Sequence, residues 1–157
     1  MNFRTWCEGL PVTITDDPLW KTAVYQQALF LGELSWHDVH KLAQDKRTLS
    51  LSDQLYRATG SISANIIEGY SRASGKDQAR FYEYALGSTR EARDWYYKGR
   101  HVLSPTVAYH RMSLLVEIMR QLLVMIPKYR QQKLREEIAT YQVDTLQQLL
   151  NHVPMPD

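Results

Sequence analysis

Apolar side chains recur along most of this chain at three- and four-residue intervals, the spacing of one buried helix face. The first such run follows Asp16-Asp17-Pro18, an acidic N-cap with proline in the first turn. It passes through Trp20, Val24, Ala28, Leu31, Val39 and Leu42 and fades at Gln44-Asp45-Lys46. Ser35 and Asp38 interrupt the stripe, so a shift of register is expected there. A second run opens after Ser50 or Ser52 and carries Leu55, Ala58, Ile62, Ile66 and Gly69. Gly60 within it costs about 1 kcal/mol against Ala in an exposed helix, which predicts a close neighbour at that point.

Ser71 to Gly75 forms the next break, and Ser74 three residues before Asp77 makes a loose capping box. The third run places Phe81, Ala85, Ser88, Ala92 and Trp95 on one face and fades between His101 and Pro105. Ser104 or Thr106 caps the fourth, whose stripe runs from Met112 through Leu115, Met119 and Leu122 to Ile126. Leu114, Ile118, Val124 and Met125 widen that stripe beyond the single face a surface helix buries, as expected of a central or interface helix. Pro127 interrupts or kinks it.

No strand alternation, solenoid-length repeat or low-complexity tract is present. Four long helices with short breaks predict an all-α, up-down-up-down four-helix bundle with an additional C-terminal helix. The expected division is an irregular N-terminal arm (1–17), the bundle (18–127) and a helical extension with tail (128–157). In that extension Leu134, Ile138 and Tyr141 share a side, Lys133 and Glu137 form an i,i+4 pair, and Leu146, Leu149 and Leu150 follow. Such a helix is marginal without a surface to bury its apolar face, so it is expected to clasp a neighbouring subunit rather than to pack on its own or dock a partner.

Composition changes this picture little: 44% apolar and 23% charged residues are globular values, which argue against wholesale disorder. A net charge of +2 excludes a polycation whose role charge alone would reveal. The single cysteine, Cys7, excludes an intramolecular disulfide and a Cys-x-x-Cys pair. The longest apolar run, Leu122 to Ile126, is far short of the roughly 20 residues of a membrane span. The first residues lack the apolar core and cleavage site of a signal peptide, so a cytoplasmic protein without membrane attachment is expected.

Candidate chemistry is sparse. No Glu-x-x-His pair of a di-iron bundle occurs, and Glu33, His37 and His40, which share a face, read as a solvated polar surface. There is no Gly-x-Ser-x-Gly, no phosphate loop, and no His beside Cys7. The expectation is therefore a protein that is not an enzyme, with no cofactor and no metal. Arg57, Ser61, Asn65 and Glu68 form a polar ridge, and Ser88 and Glu91 can match it from the third helix. The ridge reads as a partly buried structural network in which Arg57 serves one or both glutamates, in preference to an acid/base site at Glu68 or Glu91.

Between Lys46 and His101 there are ten Lys/Arg against six Asp/Glu. Arg72, Lys76 and Arg80 cluster at the break between the second and third runs, and Arg93, Lys98 and Arg100 continue beside Tyr96 and Tyr97. Basic residues interleaved with aromatics suit phosphate contacts and base stacking, so these six are the candidate nucleic-acid-binding residues. Copies of a weak basic patch around a ring would sum to a strong field.

These residues also carry a family likeness. Gln54-x-x-Arg57-Ala58, SISANIIEG (Ser61 to Gly69), Ser74-x-Lys76 and RFYEYALGSTREA (Arg80 to Ala92) resemble the 23S rRNA intervening sequence protein family, also labelled S23 ribosomal proteins. The likeness covers roughly residues 18–127. Members of that family resemble in fold the accessory variability determinant of diversity-generating retroelements, a barrel-shaped homopentamer that binds nucleic acid and a reverse transcriptase. The resemblance implies a ring-shaped homo-oligomer, plausible as a pentamer, with RNA or DNA (RNA favoured) on the charged surface. It also implies a reverse transcriptase or other protein partner. By matched position Asn65, Glu68, Ser88 and Glu91 become the internal signature and Arg57 its basic partner. Ile67, Arg90 and the extension after Pro127 depart from the pattern. The alternative is a protein-interaction scaffold with the C-terminal helix as docking element and no nucleic-acid role.

Overall fold

A computed structural model describes residues 2–130 and 145–157. Among the described residues every regular element is helical. Two short helices, α1 (Phe3–Glu8) and α2 (Val12–Thr15), and a 3-10 turn (Pro18–Lys21) precede the long ones. These are α3 (Ala23–Ala43), α4 (Leu49–Tyr70), α5 (Gly75–Leu103) and α6 (Pro105–Arg130), followed by short α7 (Leu146–Asn151). The N-terminal segment is thus not irregular. Asn2 caps α1 through the Thr5 amide, and Phe3 and Trp6 lay their rings 5.2 and 5.0 Å from that of Phe30. Aromatic burial orders a stretch whose polar spacing gives no helical period.

The long helices pack as an up-down-up-down bundle. Ser35 of α3 meets Thr59 of α4, Gly69 of α4 meets Tyr82 of α5, Tyr82 meets Tyr129 of α6, and Gln27 of α3 meets Gln121 of α6. Each pair is antiparallel, and the circuit closes with α6 beside α3. The core is filled by Phe30, Leu31, Leu34, Leu55, Ile62, Ile66, Leu114, Leu122 and their neighbours, all essentially inaccessible. The stripe read for α4 lies in this core, as does that of α6 from Leu115 to Ile126 widened by Leu114 and Ile118, whereas Val124 is exposed and Met112 and Met125 are half-buried. No helix among the described residues is long and apolar enough to cross a membrane.

Three local expectations are corrected. On α5 the buried face is Tyr82, Ala85, Thr89, Ala92 and Tyr96, whereas Phe81, Ser88 and Trp95 are only half-buried. The stripe is turned by one residue because Tyr82 packs on Gly69 and Tyr96 reaches Asp38. Gly60 is exposed, with nothing within 4 Å of the place a methyl group would take, and the close approaches fall at Gly69 and Gly75 instead. In α3 the register does not shift, since Ser35 and Asp38 are themselves fully buried.

Asp17, rather than Asp16, caps the 3-10 turn, and the Ser74 hydroxyl accepts from the Asp77 amide at 3.1 Å to start α5. Ser104 alone joins α5 to α6, in a left-handed conformation (φ 76°), and Pro105 opens the next helix. Helix α6 continues past Pro127 to Arg130, whose guanidinium pairs with Glu83 at 2.7 Å. At the C-terminus α7 is closed by a Thr145–Gln148 capping box, buries Leu149 and packs against α1 and α6 of its own chain. Residues 145–157 thus turn apolar side chains to their own bundle: Leu149 is buried, and Leu146 and Leu150 pack against the core. Leu134, Ile138, Tyr141 and the Lys133–Glu137 pair lie outside the described residues.

Candidate nucleic-acid interface

The turn between α4 and α5 gathers the first three candidate cations. Arg72, just beyond the end of α4, lays its guanidinium 4.6 Å from the centre of the Phe81 ring, and Arg80 stands 5.7 Å from the same ring. Lys76 is exposed in the first turn of α5. Gln78 fixes the turn by donating to the Arg72 carbonyl at 2.9 Å, and Glu68 forms an ion pair with the Arg72 side chain. The planar guanidinium suits both the aromatic face and a phosphate, so Phe81 presents the arginines without consuming their outward donors.

Arg93, Lys98 and Arg100 sit elsewhere. Eighteen residues of helix put Lys98 about 27 Å from Arg80. At about 100° per residue Lys76, Arg80 and Lys98 share one line of α5, while Arg93 and Arg100 share another roughly 140° round from Arg80. Arg93 lines a shallow hollow beside Tyr97 and Met112. Lys98 is paired with Asp94 and lies 4.5 Å from the Trp95 ring; Arg100 stacks 3.9 Å from Tyr97. The six residues therefore make one compact cluster and a second, dispersed set.

The polar ridge is not an inter-helix network within the chain. Arg57 pairs with Asp53 at 3.1 Å, one turn back on α4, and reaches neither Glu68 nor Glu91. Asn65 donates to the Ser61 carbonyl at 2.8 Å, Glu68 serves Arg72, and Glu91 accepts from the Trp95 indole at 3.2 Å. Ser88 is half-buried on α5. Side chains on exposed helix positions find partners within their own helix at i,i+4 more readily than across to the next.

The buried polar network that does exist was missed by sequence reasoning. Arg111 donates from Nε to Asp38 Oδ2 at 2.7 Å and from Nη2 to Asp38 Oδ1 at 3.0 Å, and both side chains are fully buried. The Tyr96 hydroxyl donates to Asp38 Oδ2 at 2.9 Å. On the other side Arg111 Nη1 donates to His110 Nδ1 at 3.0 Å, which leaves the proton on Nε2 to meet the Leu149 carbonyl at 2.5 Å. This chain of bonds ties α5, α3, α6 and α7 together. Burial first, then the Asp38 carboxylate, pushes the Tyr96 hydroxyl well above the ordinary tyrosine range, partly offset by Arg111. One signal was available: Asp38 and Arg111 each stand on an apolar stripe, and two opposite charges so placed must find each other.

Elsewhere His37 approaches Glu33 at 3.8 Å, and no group of three His, Cys, Asp or Glu among the described residues is placed to hold a metal ion. Cys7 is half-buried in α1, and burial pushes its thiol up. A family model described as 23S rRNA-intervening sequence protein matches residues 21–124, which spans α3, α4, α5 and most of α6. No curated protein and no solved structure matches.

Proposed function

Because the chain belongs to the 23S rRNA-intervening sequence protein family, we propose that it is a non-enzymatic, homo-oligomeric bundle that binds structured RNA through phosphate contacts. The observation that carries this reading is the Arg72–Phe81–Arg80 stack, two guanidiniums held on one ring at the helix junction, with exposed Lys76 beside them. Rigid elements hold charges in register with a phosphate backbone at little entropic cost. Arg93, Lys98 and Arg100 serve as an outlying contact set. Contacts of this kind position RNA without reading its sequence, so weak sequence preference and steep salt dependence follow. The assembly is a cytoplasmic ring, with five copies as the expected number, and its partner is an RNA-processing protein or a reverse transcriptase.

Fluorescence anisotropy with a structured RNA tests the reading. Affinity falls by orders of magnitude between about 50 and 200 mM salt if several phosphates are engaged. Changing Arg72, Lys76 and Arg80 together to Glu abolishes binding and leaves helicity unchanged. Retained affinity in that variant would remove the junction from the interface. The scaffold reading weakens on one point: the apolar side of α7 is already occupied by its own bundle.

A further inference from the structure

The outer groove between α3 and α4 takes no part in the bundle core or the basic junction. Its volume is about 630 Å³, the size of a site for a compact organic ligand. Val39, Ala43 and Leu49 give it apolar walls. Trp36 and Tyr56 line it too, 61% and 46% exposed, with ring centres 6.1 Å apart and planes tilted 58° to each other, so one ring offers a face and the other an edge. With the apolar walls they make one contiguous patch, which marks a binding groove in a way that single exposed aromatics do not. Polar groups converge on the same groove: Asp53, Ser50 and His40.

Charge identifies the ligand. The groove ends at the α3–α4 turn, where Arg47 is paired with Asp45 at 2.6 Å and Lys46 is the cation left to a ligand. Residues 41–57 hold four Lys/Arg against two Asp, which equals the surplus of the whole chain. An apolar helix from a second copy would cover Ser50 and His40 without offering them partners. A flat heterocycle with donor and acceptor edges and an attached phosphate satisfies both the rings and the rim.

We propose that this groove is a nucleobase site: the base stacks on the Trp36 face with the tilted Tyr56 ring against its edge, its polar edge meets Asp53 and Ser50, and its phosphate faces Lys46. A free nucleotide and an unpaired base of RNA share this chemistry; the RNA source rests on the proposed RNA-binding function, whereas the nucleotide source does not. Of the four tryptophans Trp36 is the most exposed, so its emission reports occupancy.

The full-length protein is titrated with AMP, with an oligo(A) of about ten residues, and with a fully paired hairpin. Oligo(A) quenches the emission and the hairpin does so less. Trp36→Ala weakens oligo(A) binding roughly 5- to 150-fold, the loss expected for one stacked base, and Tyr56→Ala weakens it less, both with unchanged circular dichroism. The triple charge reversal at Arg72, Lys76 and Arg80 keeps the response to AMP. Saturation by AMP without any RNA binding upholds the site and overturns the RNA function. Salt-dependent RNA binding that neither Trp36→Ala nor Tyr56→Ala alters overturns the site and leaves the RNA function standing. A smaller assembly mass in Trp36→Ala also overturns it, since a second copy then fills the groove.

Discussion

Asp38 and Arg111 hold opposite charges in full burial, and each is tolerable only because the other is there. Arg111→Ala leaves a buried carboxylate with Tyr96 as its remaining partner, at an expected cost of about 3–5 kcal/mol in urea denaturation. Arg111→Met fills most of the volume but still strands Asp38, so it falls in the same range. The double change to Leu at 38 and Met at 111 removes both charges and is expected to recover part of the loss, since the Tyr96 hydroxyl then lacks its acceptor and His110 Nδ1 its donor. Tyr96 adds a pH dependence. Its folded-state pKa is raised above the unfolded value near 10, so its contribution is complete below that pH and is lost as pH rises further. Tyr82, pushed up to about 12 by burial and then by Tyr129, acts in the same direction. Stability measured across alkaline pH should decline from about pH 10, and Tyr96→Phe should flatten that decline. Ser104 is a different kind of stake. Its left-handed backbone costs about 1–3 kcal/mol in a non-glycine residue, whereas its weak cap to the Val107 amide at 3.4 Å is worth a few tenths over glycine. Ser104→Gly is therefore expected to raise the melting temperature, by roughly 2–4 °C for each kcal/mol relieved.

Where two helices touch, glycine separates close packing from mere tolerance. A methyl at Gly69 would stand 2.6 Å from Cε1 of the buried Tyr82 ring, and one at Gly75 would stand 2.5 Å from the Tyr129 carbonyl. Both Gly→Ala changes should destabilise, Gly69→Ala by about 1–3 kcal/mol through overpacking and Gly75→Ala by at least as much, since backbone cannot step aside. Gly60→Ala should instead stabilise by about 1 kcal/mol, because that position is open and alanine is the better helix former. Thermal denaturation of the three variants checks the contrast. Glycine also marks the limit of what was legible in advance. Helix α4 could be phased because its core residues Leu55, Ala58, Ile62 and Ile66 are set off by polar ones, and α6 because it is apolar on more than one side; α5 could not, because Phe81-Tyr82 and Trp95-Tyr96-Tyr97 offer adjacent aromatics. Which ring turns inward depends on the neighbours, here Gly69 and Asp38, and these lie on other helices. The basic junction was legible because Arg72, Lys76 and Arg80 are close in sequence. The remaining three candidates were not, since helical rotation separates residues that stand side by side in a count of charges.

At the scale of the whole molecule, the C-terminal segment decides between a fold that is complete in one chain and one that needs a neighbour. Leu149 is buried, the His110 Nε2–H meets its carbonyl at 2.5 Å, and the Lys41 amine donates to the Asp157 carbonyl at 2.6 Å. Removing residues 145–157 exposes apolar surface worth about 1.5–3 kcal/mol at Leu149 alone. It also leaves the buried His110 donor without that acceptor, at about 1–3 kcal/mol. The melting temperature should then drop by on the order of 10 °C for a chain of this size. An oligomer held by the bundle faces keeps its mass in the truncated protein; one clasped by the C-terminal segment falls apart into smaller species. Light scattering on the two forms separates these outcomes. The intramolecular seating of α7 favours retained mass with lowered stability, because a segment that already buries its leucine and closes a hydrogen-bond chain to Asp38 has little apolar face left to exchange.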